Sequence, residues 1–146
     1  MNTRRIEPVF AGRLLQVQKI HTKLPNGHAV TLEVVKHPGA VLVVPFLRPT
    51  QVILLRQYRA VMQKYFYELP AGTLAVGEKP MRCARRELME ETGYAARQMK
   101  QLGVIYPAPG YTTEKITVFS ACDLMPGRHE PEADEVIELL TVNRAQ

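Results

Sequence analysis

With 146 residues, 46% of them hydrophobic and 23% charged, the chain suits one compact domain with an adequate core. Its two cysteines, Cys83 and Cys122, exclude a disulfide framework and a zinc cluster. The longest apolar run, from Ala40 to Leu47, is too short to cross a bilayer and contains Pro45, so no membrane partner is expected.

The formal charge of +5 admits nucleic acid as a partner. No Lys/Arg run interleaves with aromatics, however, and Trp is absent. A basic rim that attracts a small phosphate-bearing ligand is the better reading. The start, Met-Asn-Thr-Arg-Arg, lacks the apolar stretch of a secretory signal, and a cytoplasmic location is the default expectation.

In chain order, Arg13 to His21 and Ala29 to Lys36 form two expected strands, joined at Leu24-Pro25-Asn26-Gly27 by an Asn-Gly hairpin signal. Ala40 to Leu47 is an apolar strand expected to be buried on both faces. Arg48-Pro49-Thr50 turns the chain into a strand from Val52 to Tyr58. Tyr65 to Leu69 leads into the next segment. After one helix come strands from Lys100 to Tyr106 and from Lys115 to Ala121, on either side of Pro107-Ala108-Pro109-Gly110. Val136 to Val142 is the last strand. Asn143 resembles a helix N-cap with no helix after it, which suggests an absent or truncated C-terminal helix.

The helix lies in the most informative segment, Gly72 to Tyr94. Glu78 stands six residues after Gly72. Arg86-Glu87 follows eight further on, then Leu88, Glu90-Glu91 and Gly93. Pro80 suits a first helical turn, and a carboxylate at Glu78 favours the positive end of the helix dipole. Gly93 suits the left-handed residue that ends a helix. Met81, Ala84 and Leu88 share a spacing that predicts a core-facing side.

Glu87, Glu90 and Glu91 are expected on another face, where side chains three and four apart are neighbours. They repel one another unless a cation intervenes, and hard Mg2+ or Mn2+ prefers oxygen ligands. Arg86 is positioned to orient Glu78 or Glu90. A solvated acidic face accounts for an isolated Glu-Glu pair, but not for the glycine, Glu78, Arg86 and both helix ends together.

This spacing resembles the Nudix box of hydrolases that cleave a nucleoside diphosphate linked to another group. Four further pieces resemble the ADP-ribose pyrophosphatase group of that superfamily. They are Leu24-Pro-Asn-Gly27 with Glu33-Val-Val-Lys-His37-Pro-Gly-Ala-Val41, then Gln57-Tyr58-Arg59, then Glu68-Leu69-Pro70-Ala71-Gly72, and Pro109-Gly110-Tyr111-Thr112-Thr113-Glu114. Lys79 and Tyr94 depart from the usual residues at their positions.

The resemblance implies an α+β fold, a Nudix-type α/β/α sandwich with a mixed central sheet, the box loop-helix and an N-terminal antiparallel hairpin or sheet. It implies a single domain over 1–146, with strands in 1–38 engaged in a homodimer and the core in 39–146. The Ala71 carbonyl, Glu87 and Glu91 would hold Mg2+, or Mn2+ as a substitute, with Glu90 secondary. Gly72, Glu78, Arg86 and Gly93 would be structural in the motif. Arg59 would hold a phosphate, Pro109, Gly110 and Glu114 would line the ribose end, and Glu33 and His37 would contact substrate.

The base is sought in the acidic stretch Glu130-Pro-Glu132-Ala-Asp134-Glu135. Glu132 and Glu135 are the candidates, with Asp134 as an extra metal ligand. Each of these outlying residues also has a plain reading as a surface ion pair, a turn or a solvated charge. The implied reaction is hydrolysis of ADP-ribose to AMP and ribose 5-phosphate. Alternatives are another nucleotide sugar such as GDP-mannose, an RNA-end pyrophosphohydrolase, or a nucleotide-binding module without turnover.

Overall fold

The computed structural model describes residues 4–129 and 135–143. They form two compact units, one built from 4–39 and 106–115, the other from 40–105, 116–129 and 135–143.

The first unit is a three-stranded antiparallel sheet in the order β1 (Arg5–Ala11), β2 (Gln16–Lys23), β3 (Ala29–Lys36). The expected Asn-Gly hairpin joins β2 to β3, with the Gly27 N–H donating to the Leu24 carbonyl at 2.8 Å. β1 is a strand that the sequence did not announce: its side chains are exposed throughout, so it has no inside–outside alternation to detect. Residues 106–115 lie along β3. The Val35 N–H donates to the Tyr111 carbonyl at 2.8 Å, and the Thr113 N–H to the Val35 carbonyl at 3.0 Å.

The second unit is a seven-stranded mixed sheet. β4 (Ala40–Arg48) is parallel to β9 (Ile116–Pro126), and every other pairing is antiparallel. The order is β10 (Ile137–Asn143), β5 (Gln51–Arg59), β4, β9, β8 (Tyr94–Ile105). β4 and β5 pair only near their shared turn, at Phe46–Val52 and Arg48–Gln51. Beyond it they diverge. β6 (Lys64–Glu68) takes the free edge of β5, and the short β7 (Ala71–Thr73) takes the free edge of β4. Residues 68–72 therefore run between the two diverging strands.

One helix, α1 (Pro80–Thr92), covers the sheet. Pro80 opens it, and Gly93 closes it in the left-handed region at φ 71°, its N–H donating to the Met89 carbonyl at 2.8 Å. Ala84 and Leu88 are buried against Val41, Val43, Phe119 and Ala121. Two expectations for this helix need correction. Met81 is 36% exposed, because it lies at the rim of the sheet-facing arc in the first turn. Glu87 and Glu91 do not occupy a separate face. They continue the Cys83 column, four residues apart, and are buried on the side that carries the core.

β8 starts at Tyr94, directly after the helix cap and well before the expected Lys100. Its first half carries Ala, Arg and Gln with little alternation. β4 alternates full and partial burial rather than being buried on both faces. No described helix is long and apolar enough to cross a membrane.

Candidate active site

The site is assembled where the segment between the diverging strands passes under α1. The Val43 N–H donates to the Pro70 carbonyl at 2.8 Å, and β7 pairs Ala71 with Leu42 and Gly72 with Val41. This fixes the backbone of 70–72 to the middle of the sheet. From the last turn of α1, Glu91 reaches back, and its Oε2 accepts the Ala71 N–H at 2.9 Å. One turn earlier, Glu87 lies over Gly72. A Cβ at Gly72 would stand 1.8 Å from Glu87 Oε1, so the glycine is required for space. A Gly72→Ala change should displace the buried carboxylate and cost about 1–3 kcal/mol, the range for overpacking. Thermal unfolding would measure this, and an unchanged Tm would show that Glu87 has room to move.

Arg86 ties the acidic residues together. Its Nε and Nη2 donate to the two oxygens of Glu78, at 3.2 and 3.1 Å, and its Nη1 donates to Glu90 Oε2 at 2.9 Å. The same Nη1 lies 2.8 Å from Glu87 Oε1. Both expected partners, Glu78 and Glu90, are therefore held at once, and Glu87 is held as well. The Arg86 guanidinium brings Glu78 down to about 2, helped by the Ala75 N–H.

The other two carboxylates go the opposite way. Glu91 is 2% exposed, and burial pushes it up to about 8. The charges of Glu87 and Glu135 add to the rise, while the Ala71 N–H and Arg59 oppose it. Burial likewise raises Glu87, with Glu90 and Glu135 contributing. Cys83 packs beneath this cluster, near the carbonyls of Gly72 and Thr73. Burial, with Glu78 and Glu87, pushes its thiol up to about 12, which disfavours the thiolate form.

Glu135 acts electrostatically on Glu87, Glu91 and Arg59 alike. Of the late acidic stretch, Glu135 is the residue that the structure describes. Glu132 and Asp134 lie outside the described residues.

An all-oxygen, buried and mutually repelling set suits a hard divalent cation by its chemistry. Among the described residues, no three His, Cys, Asp or Glu side chains form a ready cage for one. Arg86 holds Glu87 and Glu90, and the Ala71 N–H holds one oxygen of Glu91.

Arg59, at the end of β5, is paired. Its Nε donates to Glu68 Oε1 at 2.9 Å and its Nη2 to Glu68 Oε2 at 2.5 Å. Sequence reasoning assigned no role to Glu68. It is visible there only as the first letter of the Glu-Leu-Pro-Ala-Gly lead-in.

Glu33, His37, Pro109, Gly110 and Glu114 all belong to the first unit. Glu33 is exposed on β3 opposite Lys19. His37 has structural partners: its N–H donates to Thr113 Oγ1 at 3.0 Å, and its Nδ1 accepts the Gly39 N–H at 3.1 Å. Pro109 and Gly110 lie in an exposed turn closed by the Thr112 N–H on the Ala108 carbonyl at 3.1 Å. The Glu114 N–H donates to Thr112 Oγ1 at 3.1 Å.

Among the described residues, the mixed sheet is thus covered by one glycine-bounded helix that buries two glutamates, Glu87 fastened by Arg86 and Glu91 by the Ala71 N–H. The chain belongs to the Nudix family: the family model described as NUDIX domain matches residues 36–145. It is similar to an ADP-ribose pyrophosphatase of Bacillus subtilis, 37% identical over 138 residues that cover 93% of this chain and 75% of the relative. It is also similar to a methanol dehydrogenase activator of Bacillus methanolicus, 38% identical over 142 residues, 94% of this chain and 77% of the relative. Among solved structures, a crystal structure of an ADP compounds hydrolase matches with a TM-score of 0.81 at 27% identity, covering 97% of this chain and 78% of that one.

Proposed function

We propose that the chain is a single catalytic domain that hydrolyses the diphosphate bridge of a nucleoside diphosphate sugar, with ADP-ribose as the first candidate. The observation that carries this reading is the buried pair Glu87 and Glu91, pressed against Gly72 and Ala71 with its charges only partly compensated. The relatives named above support the substrate class.

Bound Mg2+, with Mn2+ as a substitute, supplies Lewis acidity to a pyrophosphate whose own charge repels a nucleophile. Glu87, Glu91 and the Ala71 carbonyl would hold it, with Glu90 assisting. Arg86 keeps Glu87 and Glu90 oriented and limits their repulsion. Glu135 takes a proton from the attacking water. Water adds to one phosphorus, and the bridging oxygen leaves with the other phosphate, giving AMP and ribose 5-phosphate from ADP-ribose. Arg59 stabilises the phosphate charge. Glu33, His37, Pro109, Gly110 and Glu114 are assigned to the sugar end, and Glu132 and Asp134 remain the further acids of the late stretch.

The test is a substrate panel with Mg2+ and Mn2+. ADP-ribose should be turned over ahead of GDP-mannose and of 5′-triphosphorylated RNA. A preference for GDP-mannose would move the assignment within nucleotide sugars. RNA turnover that weakens steeply with salt would move it to RNA ends, and binding of ADP-ribose without turnover would make the chain a sensor. Arg59→Ala should raise KM for ADP-ribose roughly tenfold or more, since a charge-assisted phosphate contact is lost. Unchanged steady-state constants would place Arg59 outside the site.

We also infer a homodimer formed through the first unit. Ile6, Val9 and Phe10 on β1 are all at least half exposed, which is costly for apolar side chains left in water. Light scattering at micromolar concentration should give twice the monomer mass, and a monomer would remove this inference. The free thiols Cys83 and Cys122 suit the reducing cytoplasm.

A further inference from the structure

We propose that Glu68 is the positioning residue of the site: it sets the orientation in which Arg59 meets the substrate phosphate. The inference rests on the reading of Arg59 given above and adds a residue to it. A guanidinium offers five N–H donors in a planar fork. Glu68 takes the edge made by Nε and Nη2, in the paired geometry that both bonds and aligns. In this reading the Nη1 edge meets the substrate anion.

Glu68 is suited to this task by its place in the chain. It ends β6 directly opposite Leu55 on β5, while Arg59 lies four residues further along β5, opposite Lys64. Three residues after Glu68, the Ala71 N–H fixes Glu91. One short segment, 68–71, therefore sets both the cation and the buried carboxylate, each through its own contact.

The need for such a hold follows from the charges around Arg59. Glu91 and Glu135 also attract it. The paired bonds from Glu68 oppose that pull and keep the guanidinium turned toward a phosphate. Glu68 is bonded to Arg59 through both of its oxygens, and its influence on substrate passes through that guanidinium.

A double-mutant cycle separates this role from a merely structural one. It compares the full chain with Glu68→Gln, Arg59→Ala and the double variant, read by KM and kcat for ADP-ribose with Mg2+. The dissociation constant of ADP-ribose in chelator is measured alongside by calorimetry, so that the cycle has a readout that does not depend on turnover. Glu68→Gln alone should raise KM and the dissociation constant several-fold with a smaller change in kcat, and Glu68→Asp should recover part of the loss. With Arg59 already replaced by Ala, Glu68→Gln should add nothing. Equal losses with and without Arg59 would overturn the proposal, as would unchanged KM and binding in Glu68→Gln. An Arg59→Ala variant with wild-type constants would sink the phosphate role of Arg59 and this proposal with it. If no nucleotide sugar is hydrolysed by the wild type, the hydrolase reading fails, and the binding cycle alone decides the fate of Glu68.

Discussion

Glu91→Gln and Glu87→Gln should each lower Mg2+-dependent turnover of ADP-ribose by about a hundredfold or more, the scale of losing a group that stabilises transition-state charge. The substitution keeps shape and removes only the charge. In Glu91→Gln the amide retains an oxygen for the Ala71 N–H, so the helix should stay docked. Circular dichroism and thermal unfolding should report an intact fold while kcat collapses. The two positions differ in one respect. Glu87 is also held by Arg86, and its loss leaves that arginine free to tighten on Glu78 and Glu90. Near-wild-type turnover in both variants would refute the assignment of cation binding to this helix.

The second large effect is on stability. Glu91 stands at about 8 in the folded chain, above its ordinary carboxylate value of 4.5. Between those values the folded state keeps a proton that the unfolded state has released. Stability from this group is therefore complete below pH 4.5 and is lost as pH rises through 8. Each tenfold gain in proton affinity on folding corresponds to ~1.4 kcal/mol. Relaxation around the carboxylate and entry of water reduce the full figure, so a fall of about 2 kcal/mol is expected. For a chain of this size that is a Tm decrease of roughly 5–10 °C between about pH 5 and pH 8.5 in chelator.

Glu78 works in the other direction. Arg86 holds it near 2, so its contribution is present above pH 4.5 and is lost as pH falls toward 2. The chelated protein should thus be most stable near about pH 5. Glu91→Gln should flatten the decline on the alkaline side, and saturating Mg2+ should reverse it by favouring the ionised carboxylate. Identical pH profiles for wild type and Glu91→Gln would remove the case for a strained, buried acid.

The parts of the fold legible in the sequence were those governed by local chemistry. Pro80 and Gly93 marked the ends of α1 because each acts through its own φ angle. Asn26-Gly27 announced a hairpin for the same reason. The strand β1 was not legible, since an exposed strand carries no alternation, and neither was β7, three residues long. The early start of β8 was hidden because its first residues, Tyr94 to Gln98, show little apolar–polar alternation.

The site divides along the same line. The spacing of Gly72, Glu78, Arg86, Glu87, Glu90, Glu91 and Gly93 determined by itself that a helix carries a clustered set of acids with one arginine beside them, because a regular helix converts spacing into proximity. Only the tertiary structure decided that Glu87 and Glu91 are buried while Glu78 stays firmly ionised, that Gly72 is required by the Glu87 carboxylate, and that Arg59 answers to Glu68. These contacts join residues far apart in sequence or on different elements, and burial depends on what the sheet places above and below a side chain. No one-dimensional pattern contains that information. It arises from the divergence of β4 from β5, which opens the gap that residues 68–72 occupy.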